Sequence, residues 1–132
     1  MDARRESDHS RILIVDDNPD SLEILRVRLE SWGYRTQTAN DGEDALAKID
    51  AAPPDLILLD IMMPRMDGWE AASQLRADPE TAGIKVVLLS ARAQEADLQR
   101  GSRIGVDAYL TKPFDPDELI ATVRRLAGLP EA

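Results

Sequence analysis

The chain has no cysteine. Disulfide staples and thiolate metal centres are excluded with it, so the core must hold the fold unaided. Its one histidine, His9, lies in a polar N-terminal stretch. That removes histidine metal clusters and histidine acid–base catalysis, and leaves His9 as a solvated bystander. Positive charge is short: 16 Lys and Arg stand against 25 Asp and Glu, a net charge of −9. A domain that grips a phosphate backbone needs a basic footprint, so no direct nucleic-acid contact is expected. No run approaches the length of a membrane span, and residues 1–10 lack the apolar centre of a signal peptide. A cytoplasmic protein with no membrane insertion is expected. No glycine-rich fingerprint follows the first apolar run, no Walker-type Gly-Lys-Ser/Thr loop occurs, and no nucleophile elbow surrounds Ser90.

What is present points to one soluble domain. The length, 132 residues, suits a single core, and 43% apolar with 31% charged residues is ordinary for a globular chain. Residues 1–10 read as a flexible arm, 11–128 as the folded domain and 129–132 as a frayed tail. Arg11-Ile12-Leu13-Ile14-Val15 and Asp55-Leu56-Ile57-Leu58-Leu59-Asp60 are branched, apolar and short. Such runs suit parallel strands covered on both faces. Residues 84–89 and 106–111 repeat the pattern, and 34–39 is a more polar strand expected near a sheet edge.

Helices are predicted between these runs. Asn18 caps the first, with Pro19 at its first position. Leu22, Leu25, Leu29 and Trp32 recur at helical spacing up to Gly33. Ala45, Leu46 and Ile49 mark the second helix. Asp67 and Glu70 form a capping box for the third, which Asp78-Pro79 breaks. Residues 94–103 are weakly amphipathic, carry Gly101, and read as a marginal, mobile helix ending at Gly105. Asp115 and Pro116 start the last helix, and Gly128 closes it. Strands alternating with helices mean an α/β fold with a parallel sheet and helices on both faces.

In a parallel sheet all strands present their C-terminal ends on one edge. Asp16 and Asp17 follow the first strand, Asp60 the third, Ser90 the fourth and Lys112 the fifth. Each alone reads as a cap or a solvated group; together they read as a site. Clustered carboxylates repel one another unless a divalent cation or a lysine sits among them. Mg²⁺ accepts a few carboxylates and keeps waters, and Lys adds a point charge. A carboxylate ringed by a cation, an ammonium and hydroxyl donors describes phosphoryl transfer, where positioning and charge neutralisation dominate.

These residues resemble the receiver domain of two-component response regulators over residues 11–127. The resemblance rests on the Asp16-Asp17 pair, on Asp60 followed by Met62, Pro64, Asp67 and Gly68, on Ser90-Ala91, and on Tyr109-Leu110-Thr111-Lys112-Pro113-Phe114. It implies a flavodoxin-like doubly wound (βα)5 sandwich with strand order 2-1-3-4-5. It implies Asp60 as phosphoryl acceptor, and Asp16, Asp17, Asp60 and the Met62 carbonyl as ligands of Mg²⁺ or Mn²⁺. Ser90 resembles the switching hydroxyl, Lys112 the phosphate-contacting lysine, and Tyr109 the aromatic switch. The backbone at Met62 and Ala91 would hold phosphoryl oxygens. A cis bond at Lys112-Pro113 is implied as well.

The donor implied is a sensor histidine kinase or a histidine phosphotransfer protein. The target would be a protein bound on the face of the fourth helix, fifth strand and fifth helix. The chain would promote its own phosphorylation and dephosphorylation without being a conventional turnover enzyme. Ser90 stands where threonine is commoner and keeps the hydroxyl. Met62 and Arg92 occupy positions that tune phosphoryl loss, and an apolar Met62 implies a longer-lived phosphate than in fast chemotaxis signalling. Ala108 and Thr122 stand where dimerising regulators often carry an acid and a base, so a monomer or a weak phosphorylation-dependent dimer is expected. Two alternatives remain open: a phosphate-independent interaction module, and an aspartate-nucleophile phosphatase. The phosphatase needs two acids separated by one residue after the first strand, where this chain has Asp16 and Asn18.

Overall fold

The computed structural model describes residues 11–61, 68–90, 95–112 and 115–128. The expected arm and tail, Met62, Pro64 and Asp67, Ala91 and Arg92, and the Lys112-Pro113 bond lie outside the described residues. Strands and helices alternate as β1 (Arg11–Val15), α1 (Pro19–Ser31), β2 (Arg35–Ala39), α2 (Gly42–Ala51), β3 (Leu56–Asp60), α3 (Gly68–Ala77), β4 (Lys85–Ser90), α4 (Glu95–Ile104), β5 (Ala108–Thr111) and α5 (Pro116–Ala127). The five strands form one sheet in the order β2-β1-β3-β4-β5. Every pairing is parallel. This is the flavodoxin-like (βα)5 fold.

The apolar runs are two interleaved faces. Leu13, Val15, Ile57, Leu59, Val86 and Leu88 point to the side covered by α2, α3 and α4, against Ile49, Trp69 and Leu75. Ile12, Ile14, Leu56, Leu58, Val87 and Leu89 point to the other side, against Leu25 and Leu29 of α1 and Leu119 and Val123 of α5. Side chains alternate along a strand, so a strand buried on both faces must be apolar throughout. β2 lies at the sheet edge and is only partly covered, which explains its Thr and Gln.

The helix starts follow their capping residues. The Asn18 side chain accepts from the amides of Asp20 and Ser21, and Asp115 accepts from Asp117. The C-cap of α1 is Trp32, and Gly33 follows it at φ 100°. β5 is shorter than the run 106–111 suggests. The Val106 amide donates to the Gly101 carbonyl at 3.0 Å and so finishes α4 instead of starting the strand.

Arg76 ties the far edge of the sheet together. Its guanidinium donates to the carbonyls of Gly105 (2.8 Å), Ala82 (3.0 Å) and Ile84 (2.7 Å), and to Asp107 Oδ2 (2.6 Å). The same Asp107 oxygen accepts the Val86 amide at 2.8 Å. The end of α3, the start of β4 and the approach to β5 are thereby held at one point.

Tyr34 fastens the C-terminal helix. It is buried, and its hydroxyl donates to the Gly128 carbonyl at 2.7 Å. Burial raises the phenol above its ordinary value, against the opposing pull of Arg124. A raised folded-state value means this contribution is complete below the unfolded value of about 10 and is lost as pH climbs through the folded one. Tyr34→Phe is expected to cost about 1 kcal/mol in urea unfolding at neutral pH and to flatten the alkaline fall in stability. An alkaline profile identical to that of the parent would refute this assignment.

Candidate phosphoacceptor site

The parallel topology brings β1, β3, β4 and β5 to one edge by their C-terminal ends. The sheet register sets β3 and β4 side by side, with Asp60 opposite Leu89, and places Ser90 opposite Thr111 of β5. The Ile61 amide bonds the Leu89 carbonyl at 3.0 Å, and the Lys112 amide bonds the Ser90 carbonyl at 2.6 Å. The ladder thus continues past each strand end and carries Lys112 alongside Ser90 of β4, one strand away from the acceptor strand.

Asp16 and Asp60 are buried, at 1% and 6% exposure, and Ser90 is buried beside them at the end of β4. Asp17 is exposed. The Asp16 amide bonds the Ala39 carbonyl at 3.2 Å, which anchors the turn to β2. Asp16 Oδ1 accepts the Asn18 amide at 3.0 Å, and its Oδ2 accepts Lys112 Nζ at 2.9 Å. Lys112 also reaches Asp60 Oδ2 at 3.4 Å. One ammonium therefore sits between two buried carboxylates. Burial is the largest single influence on Lys112 and pulls its pKa down. The hydrogen bond to Asp16 and the charges of Asp60 and Asp16 together outweigh it, and the net shift is upward. Lys112 stays charged across the neutral range.

Asp16, Asp17 and Asp60 each offer a carboxylate oxygen, and these oxygens all lie within 4.8 Å of one another. Hard oxygen donors at this spacing fit a small divalent cation, and the exposed Asp17 leaves one side open to water ligands. The chemistry of the donor set therefore suits Mg²⁺ or Mn²⁺.

The structure brings together Asp16, Asp17, Asp60, Ser90 and Lys112 as the strand order requires. Met62 and Ala91 lie outside the described residues. Tyr109 lies two residues before Thr111 on β5, on the α3 and α4 side, with its ring centroid 6.2 Å from that of Trp69. Thr122 is 8% exposed.

Two contacts near the site escaped sequence reasoning: the close approach of Gly68, named above only as part of a motif, and the packing of Trp69. Gly68 opens α3 with its amide on the Ile61 carbonyl at 3.0 Å, and a Cβ there would stand 2.6 Å from the Asp60 carbonyl oxygen. Trp69 follows it, 5% exposed, with the Arg100 guanidinium carbon 4.6 Å from its ring centroid. Glycine in a loop motif hints at close approach. No sequence signal announces the tryptophan contact. Among the described residues, no helix is long and apolar enough to cross a membrane.

Comparison with known proteins agrees with this geometry. Residues 12–124 match the family described as the response regulator receiver domain. The chain is 45% identical over 116 residues to the DNA-binding dual master transcriptional regulator RpaA of Synechocystis, covering 88% of this chain and 48% of RpaA. It is 41% identical to protein PilH of Pseudomonas aeruginosa over 90% of this chain and 99% of PilH. It thus spans about half the length of several curated relatives and nearly all of another. The solved receiver domain of sensor histidine kinase PA1611 from P. aeruginosa, with a magnesium ion coordinated in its active site cleft, superposes with a TM-score of 0.82. That match has 32% identity and covers 90% of this chain and 98% of the other.

Proposed function

The chain belongs to the response regulator receiver family, and from that premise we propose that Asp60 accepts a phosphoryl group from a phosphohistidine donor in a Mg²⁺-dependent reaction. The observation that carries this reading is the pairing of a three-carboxylate cluster with one ammonium lying between Asp16 and Asp60. A receiver carries the group on its own side chain and does not turn over a separate substrate.

Asp16, Asp17 and Asp60, with the Met62 carbonyl, would hold Mg²⁺ or Mn²⁺, which when bound supplies positive charge to the transferring oxygens. An Asp60 carboxylate oxygen attacks phosphorus as the bond from phosphorus to the histidine nitrogen breaks. The bonding pair leaves on that nitrogen. Lys112, already 3.4 Å from Asp60 Oδ2, contacts a phosphoryl oxygen and neutralises its charge. The backbone at Met62 and Ala91 receives the remaining oxygens. Water later cleaves the acyl phosphate and restores the carboxylate.

The added charge draws the Ser90 hydroxyl toward it, Tyr109 turns inward, and the face of α4, β5 and α5 changes its affinity for a protein target. The donor is a sensor histidine kinase or a histidine phosphotransfer protein. The receiver of a sensor histidine kinase among the similar structures supports that class. The chain acts as a monomer or a weak phosphorylation-dependent dimer.

Intact mass after incubation with acetyl phosphate tests the reading. One added phosphoryl group is expected with Mg²⁺, and none with a chelator or in Asp60→Asn. An unlabelled parent protein that also ignores beryllofluoride would overturn the proposal in favour of a phosphate-independent interaction module.

A further inference from the structure

We infer that Trp69 and Tyr109 together form the seat on which α4 rests at Gly101, with Arg100 on Trp69 as the latch that holds the helix there. The inference rests on the phosphoacceptor reading and adds the route by which the site would reach its output face. Trp69 is tied by its neighbour to the end of the acceptor strand. It follows Gly68, whose amide bonds the Ile61 carbonyl at 3.0 Å, directly after the acceptor residue. Its indole then meets three groups.

The Tyr109 ring lies 6.2 Å away between centroids, tilted by 39°. Gly101 of α4 comes down onto the same surface. A Cβ at Gly101 would stand 3.7 Å from the Trp69 ring, 3.9 Å from the Tyr109 ring and 3.1 Å from Val106. The helix therefore sits on a floor made of Trp69, Tyr109 and Val106, reached through a residue with no side chain. Arg100, the next residue back, lays its guanidinium carbon 4.6 Å from the indole centroid.

Apart from Ile104, which packs partly buried against the core at its last turn, α4 has few apolar anchors. Among its described side chains, Gly101 is the only buried position, and Leu98 is 45% exposed. Its C-terminal end is fixed, because the Gly105 amide bonds the Gly101 carbonyl at 2.9 Å and Arg76 grips the Gly105 carbonyl at 2.8 Å. A Tyr109 ring that moves takes away one part of the floor under Gly101. The Arg100 contact with Trp69 then opposes release of the helix, by about two- to five-fold in population for an exposed cation–π pair.

The coupling is reciprocal, so loosening α4 must ease the change at Asp60. In the full chain with Mg²⁺, Arg100→Met is expected to bind beryllofluoride about two- to five-fold more tightly than the parent. Amides 95–104 should exchange faster in the unliganded variant. Arg100→Lys, which keeps the cation, should lie between the two. In a Trp32→Phe background Trp69 is the sole tryptophan, and its emission should respond to beryllofluoride only while the Tyr109 ring is present, so Tyr109→Ala should silence it. Faster exchange with unchanged beryllofluoride affinity would reduce Arg100 to a local support and overturn the inference. So would a Trp69 response that survives Tyr109→Ala. Beryllofluoride binding that leaves 95–104 unchanged in the parent overturns the inference while the phosphoacceptor reading stands. Failure of the parent to bind beryllofluoride removes both.

Discussion

Lys112→Met is expected to slow phosphorylation of Asp60 by acetyl phosphate roughly 10²–10³-fold, the usual loss when one preorganised charge-stabilising donor is removed. The ammonium lies 2.9 Å from Asp16 and 3.4 Å from Asp60 before any phosphate arrives. It therefore needs little reorganisation to meet an oxygen added to Asp60. The variant should also show a stability signature. Without divalent cation it leaves Asp16, 1% exposed, with the Asn18 amide but without its cation. Removing one partner of a fully buried pair costs several kcal/mol, but Lys112 is 27% exposed, so about 1–3 kcal/mol is the fitting scale. Added Mg²⁺ should then stabilise the variant more than the parent, because it replaces a charge that the parent already has. The Lys112 pKa is raised, so in the parent the pairing persists through the neutral range and is lost only as pH rises through that raised value. Urea unfolding with chelator and with Mg²⁺, together with labelling rates by intact mass, checks both parts. A labelling rate within tenfold of the parent would remove Lys112 from the mechanism.

The edge of the sheet was legible in the sequence because parallel topology needs only strand direction to gather strand ends. Four apolar runs, each ending at or followed by Asp, Ser or Lys, were enough to predict the cluster that the structure forms. The α4 segment shows where such reasoning stops. Gly101 reads as a weakness in a helix, since glycine lowers helix propensity. In the structure it is the point at which α4 meets Trp69 and Tyr109, where a Cβ would already stand 3.1 Å from the Val106 side chain. The Arg76 and Asp107 clamp is similar. Its residues are 31 apart in sequence and resemble ordinary surface charges until the chain is folded. Local pattern encodes which face is apolar, whereas close backbone approach and multi-carbonyl guanidinium contacts depend on where distant elements meet.

Gly68→Ala sets two effects of opposite sign against each other, and steric contact is expected to win. Alanine in place of glycine inside a helix normally gains up to about 1 kcal/mol. Here the new Cβ would stand 2.6 Å from the Asp60 carbonyl oxygen and 2.7 Å from the Ile61 Cα. Both neighbours are backbone, so neither can swing aside as a flexible side chain would. Forced overpacking typically costs about 1–3 kcal/mol and occasionally more, and at this separation the upper end applies. Relief requires α3 to back away from the end of β3, the one segment that aims the Asp60 side chain. The expected result is a net loss of about 2 kcal/mol or more in urea unfolding, with labelling of Asp60 slowed at least about tenfold even in the folded fraction, since small misplacements of reacting groups carry large rate penalties. Gly83→Ala is the matched control. Nothing lies within 4 Å of a Cβ there, so loss of unfolded-state freedom should leave that variant unchanged or more stable by about 0.4–1 kcal/mol. If both variants unfolded at the parent's urea midpoint and labelled at its rate, the contact between Gly68 and the acceptor strand would not be what positions Asp60.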